Sequence, residues 1–145
     1  MSTDVQVETR VGRPRAEVAA YATDWRNDPD WIGALTDVRP LTDEPFGVGS
    51  QVARVATFLG RGFEYVNEVV EYEPGARLVM RSVKAPFPMM VTYEFEEADG
   101  ATLVRIRAQG DASGFYRAAG PVLSRAVKRA IGGDLRRLKS LLEAG

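Results

Sequence analysis

Between Val5 and Trp31 the chain changes its hydrophobic period, and that change narrows the folds open to it. Val5, Val7, Thr9 and Val11 alternate with Gln6, Glu8 and Arg10, the two-residue period of a strand with one buried face. Pro14 follows where a helix would begin, because the first helical turn has no use for the N–H that proline lacks. Val18, Tyr21, Ala22 and Trp25 then recur at helical spacing and read as a core-facing stripe. The run Asp24-Trp25-Arg26-Asn27-Asp28-Pro29-Asp30-Trp31 breaks that helix, and a second short one is expected from Pro29.

Beyond Trp31, turn chemistry cuts the chain into strands. Thr36 to Leu41 reads as a strand at or near a sheet edge, since Pro40 cannot donate to a ladder. Gln51–Leu59, Phe63–Tyr72, Arg77–Val83, Met89–Glu97 and Thr102–Gln109 follow. They are separated by Gly60-Arg61-Gly62, Glu73-Pro74-Gly75, the stiff Lys84-Ala85-Pro86-Phe87-Pro88 and the hairpin pair Asp99-Gly100. In the last two strands Val91, Tyr93, Phe95, Val104 and Ile106 face inward. Glu94 and Glu96 face outward, near Arg105 and Arg107. In Phe63–Tyr72, solvating Glu64 and Glu68 turns Phe63, Tyr65, Asn67 and Val69 inward, with Glu71 at the end of that row. The opposite register would bury Val66 and Val70.

Phe115 to Leu142 reads as helical, with an irregular first part ended by Gly120-Pro121. Val122, Leu123, Ala126, Val127, Ala130, Ile131, Leu135, Leu138 and Leu142 form its apolar stripe, and arginines and lysines fill the rest. Gly132-Gly133 interrupts this helix at a cost of about 1 kcal/mol per glycine relative to alanine. A ligand, a gating kink or a sheet aromatic brought close to the helix backbone would each account for the pair.

Composition excludes more than it proposes. A chain of 145 residues, 45% hydrophobic and 27% charged, has the make-up of one globular domain spanning 1–145. A net charge of −1 offers no nucleic-acid footprint. With no histidine and no cysteine there is no imidazole-based triad, no thiolate nucleophile and no His- or Cys-ligated zinc. No metal and no cofactor are expected. Acid–base work would fall to Asp, Glu, Tyr, Lys, Arg or water. The start Met1-Ser2-Thr3-Asp4 has neither the basic nor the apolar part of a signal peptide, and no apolar run reaches membrane-spanning length. A cytoplasmic protein without integral membrane association is expected.

The order strand, two short helices, antiparallel meander, long helix describes an α+β helix-grip fold, with a curved sheet of about seven strands wrapped around the C-terminal helix. Local motifs agree. Val11-Gly12-Arg13-Pro14 before a helix, Tyr21 to Trp31 with Asp24, Pro29 and Trp31, and Val70-Glu71-Tyr72-Glu73-Pro74 all resemble the START-like, or SRPBCC, superfamily. So do Asp99-Gly100-Ala101-Thr102 and Asp134-Leu135-Arg136-Arg137-Leu138-Lys139. Within it the chain is most similar to the bacterial polyketide cyclase/dehydrase and lipid-transport group, whose fold is that of the birch-pollen allergen. The resemblance implies a deep apolar cavity between sheet and helix and a hydrophobic ligand, lipid-like or aromatic. It does not imply one activity, because members of the superfamily bind, carry or cyclise.

Three functions therefore stand open: binding of a hydrophobic small molecule, a cyclase/dehydratase-type enzyme without metal or histidine, and a protein-interaction module. The partner expected is a small-molecule ligand; a homodimer is left open. Trp31, Tyr65, Asn67, Met80, Phe87, Met90, Tyr93, Phe95, Val127 and Ile131 are the candidate ligand contacts. Tyr65, Tyr93, Asn67 and Arg81 are the candidate catalytic groups: phenols as donors to a carbonyl, a carboxamide on an apolar row, and a cation for an enolate. Arg54 is a second cation able to approach the cavity, although arginine usually lies at the surface. Glu71 is the strand carboxylate to consider as a base, or else a rim partner for Arg77. Phe87, held between two prolines, could form part of a lid.

Overall fold

Alternating apolar residues and Gly-containing turns produce seven strands: β1 (Thr3–Val11), β2 (Leu35–Pro40), β3 (Gln51–Phe58), β4 (Arg61–Glu73), β5 (Arg77–Lys84), β6 (Met89–Ala98) and β7 (Ala101–Gly110). The computed structural model describes residues 2–145; Met1 lies outside it. Helix α1 (Arg15–Thr23) follows β1, and one turn of 3-10 helix at Trp25–Asn27 leads into α2 (Asp28–Trp31). A short α3 (Ser113–Tyr116) precedes the long α4 (Gly120–Glu143). The strands form one antiparallel sheet in the order β1-β7-β6-β5-β4-β3-β2. Strands β2 to β7 are a plain meander, and β1 closes onto β7. The sheet curls around α4, which is the helix-grip architecture.

Two hairpins turn on residue pairs with positive φ, Leu59-Gly60 (51° and 78°) and Asp99-Gly100 (50° and 79°). Both sit in the mirror-image turn whose twist matches the flanking strands. The first turn therefore falls one residue earlier than Gly60-Arg61-Gly62 suggests, and Arg61 already belongs to β4. Strand β2 is an edge strand, as Pro40 requires.

The concave face and α4 enclose the core, where Val11, Val18, Leu78, Val104, Leu135 and Leu138 are buried with Trp31. On the convex face ion pairs run across the strands. Arg105 meets Glu8 at 3.2 Å, Glu94 at 3.8 Å and Glu96 at 3.7 Å, while Arg107 takes Asp4 at 2.7 Å. Arg39 meets Glu64 at 3.1 Å. Ala53, Val66 and Val79 are buried on this face too, although their register points them away from α4.

Strand β4 keeps the expected register through Val69: Tyr65 pairs with Arg54, Asn67 with Val52, and Glu64 faces outward. A bulge between Val69 and Glu71 then reverses the faces. Tyr72 enters the core edge-on to Phe46, with ring centres 5.3 Å apart. Glu71 consequently leaves the inward row and lies exposed, 3.4 Å from Arg77. Trp25 is only half-buried and lies outside the core cluster, with Arg26 over its ring.

Helix α4 runs unbroken through Gly132-Gly133. No sheet aromatic approaches there: a Cβ on Gly132 would meet only the tip of Arg136, at 3.7 Å. Close approach to a sheet aromatic is thus not the reason for the pair. Gly132→Ala should raise stability by about 1 kcal/mol, or roughly 3 °C in Tm, in a thermal melt; a lower Tm would show that the position needs glycine.

Candidate functional site

Curvature of the sheet leaves a cavity of about 240 Å³ between its concave face and α4. Its walls are apolar because the inward rows of β5, β6 and β7 carry Met80, Val91 and Ile106, and α4 turns Leu123, Val127 and Ile131 toward them. Trp31, Tyr65, Asn67, Met80, Phe87, Met90, Tyr93, Val127 and Ile131 all line this space, as does Arg54. Met90 does so from a register position opposite Arg81, out of step with the Val91-Tyr93-Phe95 row. Phe95 is instead packed into the core cluster and does not border the cavity. Arg81 is exposed on the outer face opposite Glu68, so it is not placed to act on anything within.

The polar end of the cavity is built on a buried ion pair. Arg54 lies on the inward row of β3 and is 6% exposed; Asp28 opens α2 and is 2% exposed. Arg54 Nε donates to Asp28 Oδ2 at 2.9 Å, and Nη2 lies 2.8 Å from the same oxygen. Burial pushes the Asp28 carboxyl up to about 6, with the Arg54 guanidinium pulling against that rise. Burial is the largest single effect on Arg54 and works against its charge, but Asp28 together with Tyr65 and Tyr93 holds the guanidinium above its ordinary value. Burial likewise raises Tyr65 and Tyr93, so both phenols stay protonated and can only donate or accept hydrogen bonds.

Around this pair three buried polar atoms have no hydrogen-bond partner among the described residues: Arg54 Nη1, Trp31 Nε1 and Asn67 Oδ1. Two are donors and one is an acceptor. Trp31 stands three residues after Asp28 on α2 and stacks at a tilt on Tyr93, ring centres 5.9 Å apart. Arg137 of α4 fixes the backbone of α2 by donating from Nε to the Trp31 carbonyl at 3.0 Å. Asp134, also bordering the cavity, accepts from Gly33 N–H at 3.0 Å and pairs with Arg137. Burial raises its carboxyl, with that N–H and Arg137 opposing.

Rings gather at the other end. Phe63 lies 5.2 Å from Phe87 and 5.6 Å from Phe115, and Phe87 lies 5.4 Å from Phe115. Phe58 meets Tyr116 edge-on at 5.8 Å. Arg61 caps the group, its guanidinium 3.7 Å from the centre of Phe115 and bonded to the Phe115 carbonyl.

Asp28, Asp134 and the ring pair Phe115–Tyr116 escaped sequence reasoning. Arg54 was visible in the alternation Val52-Arg54-Ala56, yet the residue type argued for the surface. Asp28 carried the one usable signal, an acid just before Pro29 at a helix start, where it reads as a cap.

The family described as "Polyketide cyclase / dehydrase and lipid transport" matches residues 2–143. No curated protein matches the chain significantly. Among solved structures it is similar to a START superfamily protein from Mycobacterium smegmatis (12% identity, 97% of each chain covered, TM-score 0.82). It is also similar to the Zhui aromatase/cyclase from Streptomyces sp. R1128 (17% identity, 99% of this chain and 94% of that one, TM-score 0.81). A third is TTHA0849 from Thermus thermophilus (17% identity, 97% of each chain, TM-score 0.81). At such identities the likeness is one of fold.

Because the folded state raises Asp28 from 3.8 to about 6, the native chain holds an extra proton in that window. The contribution of this carboxyl to stability is then greatest below pH 4, falls by about 3 kcal/mol as pH rises to about 6, and is level above. Urea unfolding of the wild type and Asp28→Asn should show the wild type losing ground to the variant across that window; a difference growing with pH would contradict the assignment.

Proposed function

This chain belongs to the polyketide cyclase/dehydrase and lipid-transport family, and we propose that it binds a hydrophobic small molecule, lipid-like or aromatic, in the cavity between sheet and α4. The observation that carries this reading is the cavity itself: about 240 Å³, apolar-walled, with a buried guanidinium, a carboxamide and an indole N–H among its few polar groups. Burial of apolar surface supplies roughly 25 cal/mol per Å² of driving force, and a few polar contacts set orientation. Trp31, Tyr65, Asn67, Met80, Phe87, Tyr93, Val127 and Ile131 are the contacts we assign. Phe87, with its ring neighbours Phe63 and Phe115, is the part of the wall we read as a lid, because it comes from a loop rather than the sheet.

A second reading, cyclisation or dehydration of a carbonyl chain, draws on one observation: a charged guanidinium bordering the cavity with Nη1 unpartnered, suited to a developing enolate. Against it, Asp28 and Asp134 are both engaged by arginines and the phenols are too weakly acidic to serve as bases. Tyr65→Phe, Tyr93→Phe and Asn67→Ala should each slow turnover of an identified substrate at least tenfold on this reading; three unchanged rates would remove it.

The binding reading is tested by filling the cavity. Val127→Trp should weaken binding of 2-ethylnaphthalene, followed by native mass spectrometry and tryptophan fluorescence, by at least tenfold while leaving Tm within a few degrees. A wild-type chain that takes up none of this probe would refute the proposal.

A further inference from the structure

Charge at the polar end decides what kind of head group can sit there. Arg54 is the only cation among the described residues lining the cavity, and Asp28 already holds it through Nε and Nη2. Two carboxylates border the same space, Asp134 near α2 and Asp111 at the ring end beside α3, each with partners of its own. With Asp28 ionised behind Arg54, an entering carboxylate would be a further anion sharing one guanidinium in an apolar surround. Uncompensated charge in such a place is costly.

The unpartnered atoms nonetheless ask for an acceptor. Arg54 Nη1 and Trp31 Nε1 are donors with no other role, buried with their residues 6% and 1% exposed. Asp28 and Trp31 are three residues apart on α2, and Trp31 and the Arg54 that Asp28 grips both border the cavity. A ligand ammonium has no acceptor to offer these donors, and the carboxylates it could pair with are already held by Arg54, Arg137 and Ser113. What satisfies them without adding charge is a neutral carbonyl.

We propose that the cavity selects an apolar molecule headed by an uncharged acceptor, a ketone, ester or amide carbonyl seated on the Arg54 guanidinium beside Trp31, and rejects the corresponding acid and amine. The inference rests on the binding reading above and adds the class of head group. Asn67 Oδ1, across from Val52 on the neighbouring strand, is left to take a hydroxyl or N–H elsewhere on the same molecule.

Four probes on one bicyclic ring test this by titration calorimetry at pH 8, where Asp28 is ionised: 2-acetylnaphthalene, 2-naphthoate, 2-naphthylmethylammonium and 2-ethylnaphthalene. The ketone should bind tightest, with the carboxylate and the ammonium each at least tenfold weaker. Asp28→Asn, which leaves Arg54 uncompensated, should improve naphthoate binding about tenfold while the ketone changes little. Should that variant fail to fold, Asp134→Asn on the half-buried flank of the cavity should improve naphthoate binding about threefold. Naphthoate or the ammonium matching the ketone in the wild type, or naphthoate gaining in no folded variant, overturns the proposal. A ketone no tighter than 2-ethylnaphthalene overturns it too while leaving the cavity a binding site, whereas failure of all four probes removes the binding reading and this one with it.

Discussion

Taking a guanidinium and a carboxylate out of water costs several kcal/mol per ion, and mutual attraction seldom returns the whole of it. Arg54 and Asp28 both bear that cost beneath α2. The four residues of this helix have little intrinsic reason to hold their shape. What holds them is the pair below and the Arg137 bond to the Trp31 carbonyl above. Sheet, short helix and long helix therefore meet at one joint, and the position of Trp31 follows from it.

The curved sheet has two kinds of dry surface. On the concave side dryness comes from Val, Leu, Met and aromatic residues packed against α4 or left facing the cavity. On the convex side Ala53, Val66 and Val79 are buried among strands that carry cross-strand ion pairs. Exposed pairs such as Arg107–Asp4 add little in water taken singly.

The architecture was legible because turn chemistry and alternation are local. Asp99-Gly100 needs no tertiary context to become a hairpin, and Glu94 opposite Arg105 follows from period two. Legibility ended where a tertiary event changed the count. The bulge at Val70 exchanges the faces of Glu71 and Tyr72, and nothing in Val69-Val70-Glu71 announces an extra residue. The site was half legible for a related reason. Tyr65, Asn67 and Tyr93 follow from alternation, whereas an inward Arg54 is sensible only once its partner is known. Asp28 lies 26 positions away on an element too short to show a period. Arg81, a strand cation of the same kind, has no such partner on the inner side and turns outward. The tyrosines and the carboxamide belong to rows; the charges belong to a pair.

The two ends of the cavity are made from different parts of the chain. Strand β3 and helix α2 supply the ion pair, where a shift of either would orphan a charge, and β4 adds Tyr65 and Asn67. The ring end is assembled from Phe58 and Phe63 beside the β3–β4 turn, the connection holding Phe87, and α3. The two ends are thereby separable: the rings meet one another and Arg61, the ion pair meets α2, and rebuilding one set leaves the other's contacts in place.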